Sequence, residues 1–85
     1  MSEEVSTPEL TPALELDCRG LNCPLPILKT KKAITGIEVG QILKMIATDP
    51  GSVADMAAFS RRTGHVLEHQ SEGGGEYVFF FRRTK

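Results

Sequence analysis

The sequence predicts a two-layer α/β sandwich of the α+β type, in which two helices cover one face of a mixed four-stranded sheet. The hydrophobic pattern of the 85 residues follows the order β-α-β-α-β-β. A helix between the first two strands provides a crossover connection, which pairs these strands in parallel. A glycine-rich segment between the last two strands favours an antiparallel hairpin. Two helices of this length leave the opposite sheet face open.

Both helices carry start signals. The first helix is expected at residues 24–35, with Pro24 at the first helical position, where proline is well tolerated. The second is expected to start after Asp49 as N-cap, with Pro50 at the first helical position and Gly64 after the last turn. Apolar and small side chains at helical spacing predict the buried stripes: Ile27, Thr30, Ala33 and Ile34 in the first helix, and Val53, Met56, Ala57 and Ser60 in the second.

The four strands are expected at residues 13–17, 40–47, 65–70 and 77–82. Residues 71–75, Ser-Glu-Gly-Gly-Gly, then form a flexible hairpin connection. The last strand is apolar on both alternating faces, so part of it should be exposed on the open sheet face together with Ile42 and Ile46. This exposure indicates either a protein contact or ordinary scattered apolar surface.

Length and composition describe one small domain. A hydrophobic content of 40% and a charged content of 25% are typical of a soluble globular protein. Residues 1–12 are acidic, contain two prolines and show no periodicity, so we expect a disordered tail before a single domain at residues 13–85. No signal peptide or membrane span is visible, and two cysteines do not make a secreted disulfide framework. A cytoplasmic, reducing location is therefore expected.

The charge is divided unevenly, although the formal net charge is only −1. Residues 1–18 carry five acidic side chains and no basic one, whereas residues 19–85 carry ten basic and six acidic ones, a net +4. A mildly basic body behind an acidic segment indicates either an ordinary solvated surface or a surface that attracts an acidic protein or RNA. Charge alone does not decide between them.

The chemically distinctive residue is Cys23, which lies between the first strand and the first helix, at or next to the helix N-cap. Free backbone N–H groups and the helix dipole favour a thiolate at this place. Pro24 and Pro26 remove two of the four free donors, which leaves those of Leu25 and Ile27. We therefore predict a rigid, exposed turn that presents the sulfur, with the pKa of the thiol lowered modestly at most. A buried, inert cysteine would give the flanking prolines no role.

The second cysteine, Cys18, is either a small buried apolar residue or a resolving thiol that forms a disulfide with Cys23. Together with His65 and His69, the two cysteines make four candidate zinc ligands. The Cys-x4-Cys spacing is looser than usual, and the two histidines would lie about 13 Å apart on one strand. No metal is therefore expected, and the histidines are expected on the surface of the third strand.

A family resemblance rests on residues 16–26, Leu-Asp-Cys-Arg-Gly-Leu-Asn-Cys-Pro-Leu-Pro. This segment resembles the signature of the TusA/SirA family of small sulfur-carrier proteins: an acidic residue, an Arg-Gly pair and a Cys-Pro-x-Pro box. Asp49-Pro50 followed by Asp55 is similar too, and the resemblance covers roughly residues 13–83. It implies a sheet of order 1-2-4-3. It also implies that Cys23 accepts sulfane sulfur as a persulfide and hands it on.

The same resemblance implies the partners. The sulfur donor would be a cysteine desulfurase or a rhodanese-like protein, and the acceptor a relay protein for tRNA 2-thiouridine synthesis or a component of cytoplasmic sulfur oxidation. The chain would be a protein substrate of sulfurtransferase reactions rather than a stand-alone enzyme. Independently of the resemblance, no cofactor and no direct contact with membrane or nucleic acid are expected. The exposed apolar face leaves room for a weak homodimer, so the chain is expected to be a monomer or a weak homodimer.

Five residues are expected to support the turn around the catalytic Cys23: Asp17, Arg19, Gly20, Pro24 and Pro26. Asp17 and Arg19 form either a local ion pair or part of a partner-docking surface. The alternative function is a nucleic-acid-binding or regulatory module that uses the basic body and the open sheet face. Against it, the sheet lacks the patterned stacking aromatics of RNA-binding sheets.

Overall fold

The computed structural model describes residues 11–85. Its elements are β1 (Leu14–Cys18), α1 (Leu25–Ile34), β2 (Ile42–Ala47), α2 (Ser52–Thr63), β3 (Val66–Gly73) and β4 (Glu76–Arg82). The strands form one sheet of order β1-β2-β4-β3, in which β1 and β2 are parallel and β4 is antiparallel to both of its neighbours. The predicted mixed sheet and its strand order are confirmed. Most of the expected tail, residues 1–10, lies outside the described residues, so the boundary at residue 12 stays a prediction.

The hydrophobic core lies between the helices and one face of the sheet. Leu43 and Met45 of β2 stand opposite Phe81 and Phe79 of β4, and all four side chains are fully buried. Phe59 of α2 packs edge-on against Phe81, with ring centroids 5.4 Å apart. Alternation along β2 and β4 thus sends one set of apolar side chains toward the helices. Because β1 and β2 are parallel, both end at the sheet edge from which the Cys23 turn leaves.

The open sheet face differs from the expectation at Ile42, which is only 3% exposed. Arg82 stands opposite Ile42 in the sheet, and its guanidinium donates a 2.8 Å hydrogen bond to the carbonyl of Gly40. The same guanidinium forms an ion pair with Glu68, at 2.8 Å. The arginine stem therefore lies along the strand beside Ile42 and shields it from water.

Charged side chains also cover the aromatic part of the open face. Phe80 is half-buried, with the Lys44 ammonium 5.9 Å from its ring centroid and the His69 ring 5.8 Å away on the other side. Lys44 in turn pairs with Glu15 at 3.0 Å. This face is a mixed surface on which Ile46 and Phe80 are half-buried, and the choice between a protein contact and scattered apolar surface stays open.

Both helices begin later than predicted. Pro24 is the N-cap of α1 rather than its first helical residue. Gly51, not Asp49, is the N-cap of α2, and the helix proper starts at Ser52. The reason is a turn before α2, closed by the Ser52 N–H on the Asp49 carbonyl at 2.9 Å. This turn frees the carboxylate of Asp49 for other contacts.

The hairpin between β3 and β4 is tighter than the predicted five-residue connection. β3 continues to Gly73, and only Gly74 and Gly75 form the turn. Their φ angles are 59° and 80°, and two consecutive positive values are what a type I′ hairpin requires. Glycine at both positions therefore allows the strands to pair up to the turn.

His65 corrects another prediction, because it is buried and precedes β3 instead of lying on its surface. Its ring lies 6.1 Å from the ring of Phe59, and its Nδ1 accepts the Thr84 N–H at 3.1 Å. Burial, followed by the charges of Arg83 and Lys85, lowers the pKa of His65. Its role is to anchor the C-terminal segment. His69 is exposed, as predicted.

Between residues 11 and 85, no helix is long and apolar enough to cross a membrane.

Candidate functional site

The Cys23 thiol is exposed at the turn between β1 and α1. On one side of it, the Leu25 N–H closes a tight turn on the Asn22 carbonyl at 2.9 Å. On the other side follows a cis peptide bond to Pro24. Pro26 is buried in the first turn of α1 and packs the helix start onto the body. This geometry agrees with the prediction that a firmly held turn exposes the sulfur.

The loop after β2 holds the Cys23 turn at two points. The Gly20 N–H donates to Thr48 Oγ1 and the Cys23 N–H to Asp49 Oδ2, both at 2.9 Å. Because β1 and β2 are parallel, the loops that follow them leave from the same sheet edge and meet. Gly20 has a φ of 81°, in the left-handed region that favours glycine. The backbone at Cys23 is thus fixed by the neighbouring strand's loop.

Asp49 connects this turn to α2. Its Oδ1 accepts the Gly51 N–H at 3.1 Å, while its Oδ2 serves Cys23. The backbone hydrogen bond from Cys23, and then that from Gly51, lower the pKa of the Asp49 carboxyl. The predicted N-cap residue therefore acts as a carboxylate clamp between the two loops. The Asp49-Pro50 pair in the family resemblance was the only sequence signal for it.

The pKa of the Cys23 thiol is raised, not lowered as predicted. The largest cause is a side-chain hydrogen bond with Asp55 of α2, followed by desolvation and by the negative charges of Asp55 and Asp49. The N–H of Leu25, one of the two donors expected to face the sulfur, is occupied by Asn22. Two nearby carboxylates therefore outweigh the helix terminus and favour the protonated thiol over the thiolate.

Cys18 lies in the core with no exposed surface. Burial raises the pKa of its thiol, and the nearby positive charge of Lys29 opposes the shift. These facts agree with the first of the two interpretations of Cys18, that it is a small buried apolar residue. Both cysteines are free thiols. A resolving role for Cys18 would require the end of β1 to open, and it stays a prediction.

Asp17 and Arg19 form the predicted ion pair in the β1–α1 loop. Asp17 Oδ1 accepts hydrogen bonds from the backbone N–H and the Nε of Arg19, each at 3.0 Å. These bonds lower the pKa of Asp17 to about 2 and raise the pKa of Arg19. Arg19 also reaches Glu76 at the start of β4, at 3.5 Å. Arg19 thus links the end of β1 to β4, and a role of the pair in docking a partner stays a prediction.

No group of three or more His, Cys, Asp or Glu side chains in the described part of the chain could hold a metal ion. The four candidate zinc ligands are dispersed. Cys18 and His65 are buried, whereas Cys23 and His69 are exposed.

Comparison with known proteins identifies the family. The family profile described as "Sulfurtransferase TusA" matches residues 14–83. The chain is 50% identical over 70 residues to the sulfur carrier protein TusA of Allochromatium vinosum, which covers 82% of this chain and 92% of that protein. The chain belongs to the TusA family. The TusA of Pseudomonas putida strain GB-1 is 36% identical over 75 residues, or 88% of this chain and 94% of the relative.

A solved structure supports the fold of this TusA-family chain. The SirA-like protein of Desulfitobacterium hafniense superposes with a TM-score of 0.73 at 19% identity, over 85% of this chain and 99% of that one. Its similarity concerns the fold alone. Cys23 is the cysteine of the family's Cys-Pro-x-Pro box. Reasoning from the sequence did not place Asp49 and Asp55 next to Cys23, or Thr48 next to Gly20.

Proposed function

We propose that the protein is a sulfur carrier in which Cys23 accepts sulfane sulfur as a persulfide and passes it to an acceptor protein. The observation that carries this proposal is an exposed thiol on a turn whose backbone is tied to Asp49. Membership of the TusA family and the names of its relatives, sulfur carrier proteins, support it. A carrier needs a sulfur that two different partners can reach in turn, and an enclosed pocket would prevent this.

The transfer step exchanges one sulfur–sulfur bond for another. The Cys23 sulfur, on losing its proton, attacks the outer sulfur of the donor persulfide, and the donor's S–S bond breaks as the new one forms. The donor leaves as a thiol that takes up a proton, so no net oxidation or reduction occurs. Delivery to the acceptor repeats the step in the opposite sense, with an acceptor thiol as the attacking group.

Asp55 suits this cycle because it is the largest cause of the raised pKa of the Cys23 thiol. The raised pKa keeps the idle sulfur protonated, which protects it from oxidation and from indiscriminate attack. A docked donor or acceptor that neutralises the carboxylates would release the thiolate. Reactivity would therefore depend on the partner.

The donor class that fits is a cysteine desulfurase or a rhodanese-like protein, and the acceptor belongs either to tRNA 2-thiouridine synthesis or to sulfur oxidation. We place the relay in the cytoplasm, because two free thiols persist in a reducing compartment. The chain would act there as a monomer or weak homodimer and as a substrate of its partner enzymes.

The test is intact-mass analysis after incubation with a cysteine desulfurase and cysteine. The wild type and Cys18→Ala should each gain the mass of one sulfur, whereas Cys23→Ala should not. Loading of Cys23→Ala would refute Cys23 as the carrier site. A wild type that loads from neither desulfurase, rhodanese nor polysulfide, yet binds RNA in a salt-dependent way, would favour the nucleic-acid-binding alternative.

A further inference from the structure

A cleft of about 250 Å³ lies between α1 and α2 and extends away from the Cys23 turn. Its apolar walls include Ile27, Ala58 and Phe59. This volume lies just below the roughly 300–1,000 Å³ of small-molecule sites. The cleft therefore has room for a small, elongated ligand.

The two ends of the cleft carry opposite charges. Asp55 lines it in the first turn of α2, beside the Cys23 thiol, whereas Arg62 lines it in the last turn. Seven residues of helix separate them, or about 10 Å. Lys31 lies in the last turn of α1. Since both helices follow parallel strands, they run in the same direction, and their last turns lie at the same end.

Lys31 and Arg62 are free to bind a ligand. Both are exposed, and neither forms an ion pair or a side-chain hydrogen bond with any other described residue. Arg19 and Lys44, by contrast, are engaged with Asp17 and Glu15. Lys31 and Arg62 differ from the remaining exposed cations because they line the cleft. The cleft thus combines an apolar floor, two unpaired cations at one end and, about 10 Å along α2 from Arg62, the Asp55 carboxylate next to Cys23.

We propose that this cleft binds a carboxylate-bearing persulfide of low molecular weight, which loads Cys23 directly. The donor's carboxylate would contact Lys31 and Arg62, and its sulfane sulfur would point to Cys23. Asp55 would repel a carboxylate from the sulfur end, so the two charges orient the donor. This inference rests on the proposed carrier function and adds a class of donor to it.

The reaction balances without a further reactant. Cys23–SH and R–S–SH give Cys23–S–SH and R–SH: the outer sulfur of the donor bonds to Cys23, the donor's S–S bond breaks, and the proton that leaves Cys23 ends on the departing thiol. Cleft binding supplies proximity only, and the same step serves a protein donor.

The test compares two donors: glutathione persulfide, which has two carboxylates, and the persulfide of 2-mercaptoethanol, which has none. Initial loading rates are measured by intact mass at several donor concentrations. We expect Lys31→Gln/Arg62→Gln to reduce the second-order rate constant for glutathione persulfide by roughly three- to tenfold. The rate constant for the donor without a carboxylate should change much less. Added salt should reduce the difference between the wild type and the variant in the rate constant for glutathione persulfide.

The matched control is Lys32→Gln/Arg61→Gln, which removes the same charges from the same two helix ends outside the cleft. This variant should load like the wild type. If the rate constant for glutathione persulfide falls equally in the control and cleft variants, or falls in neither, the cleft site is overturned. Loading by a desulfurase would still uphold the carrier function in that case. Failure of the wild type to load from every donor would refute both proposals.

Discussion

At the scale of single residues, the reactivity of Cys23 depends on the two carboxylates around it. Asp55 is the largest cause of the raised thiol pKa, so Asp55→Asn should lower that pKa and increase the thiolate fraction at neutral pH. We expect the rate of alkylation by iodoacetamide at pH 7 to rise severalfold. The measurement is the pH profile of alkylation, followed by mass spectrometry.

Asp17→Asn is the control for this experiment, because Asp17 is paired with Arg19 and is not among the causes of the Cys23 shift. Its alkylation profile should match that of the wild type. If Asp55→Asn leaves the pH profile of alkylation unchanged, Asp55 does not determine the pKa of the Cys23 thiol.

Asp49 has a positioning role that can be separated from its charge. Asp49→Ala removes the acceptor of the Cys23 N–H, so the turn should loosen and sulfur loading by a desulfurase should fall by roughly tenfold or more. Asp49→Asn retains a side-chain oxygen and should restore most of the rate. Hydrogen exchange provides the structural measurement, since the Cys23 amide should exchange faster in Asp49→Ala than in Asp49→Asn. Equal exchange in the two variants would contradict the clamp.

The sequence predicted the exposed Cys23 because its signals are local: a strand end, two prolines and a helix start. It did not predict the raised pKa, because the causes lie far along the chain. Asp49 is 26 residues from Cys23 in sequence, and Asp55 lies six residues beyond Asp49, on α2. Only the parallel pairing of β1 and β2 brings these segments together.

At the scale of elements, the start of α2 contains a destabilising buried hydroxyl, which a substitution can remove. Ser52 is 1% exposed, and its hydroxyl has no hydrogen-bond partner. A buried hydroxyl without a partner costs roughly 1–3 kcal/mol, so Ser52→Ala should raise the free energy of unfolding by about 1 kcal/mol. Ser60 of the same helix donates to the His65 carbonyl at 2.6 Å.

Ser60→Ala is therefore the matched control, and it should lower the free energy of unfolding by about 1 kcal/mol. Urea denaturation followed by circular dichroism measures both variants. A loss of stability in Ser52→Ala of the same size as in Ser60→Ala would mean that the Ser52 hydroxyl is satisfied after all.

Element type was easier to predict than element ends. Alternation identified β2 and β4, and helical spacing identified α1 and α2. The start of α2 was misplaced because Asp49-Pro50 has the residues of a helix cap, while tertiary contacts use the Asp49 carboxylate elsewhere. The length of the glycine hairpin was not predicted because a run of three glycines permits several turns.

At the scale of the whole molecule, the order of strands came from the family resemblance rather than from the pattern, because periodicity does not tell which strands are neighbours. Exposed apolar side chains on the open sheet face were predicted from the last strand together with Ile42 and Ile46. The side chains that cover this face come from strands other than β4: Glu15 from β1, Lys44 from β2 and His69 from β3.

The global stability should depend on pH through His65. Its pKa is lowered in the fold, so between that pKa and the unfolded value of about 6.5 the unfolded chain binds more protons. The stabilisation by neutral His65 is thus complete above about pH 6.5 and is lost as the pH falls through the lower folded pKa. Protonation of Nδ1 also removes the acceptor of the Thr84 N–H, which should release the C-terminal segment.

Guanidinium denaturation at pH 5, 6, 7 and 8 measures this dependence. The wild type should be less stable at pH 5 than at pH 7, and His65→Gln should be less stable at neutral pH but nearly flat across this range. His69→Gln, which alters the exposed histidine of β3, should keep the slope of the wild type. If instead His65→Gln keeps the pH dependence of stability and His69→Gln loses it, the buried His65 is not the cause. The pH dependence would then come from the sheet face that His69 shares with Phe80.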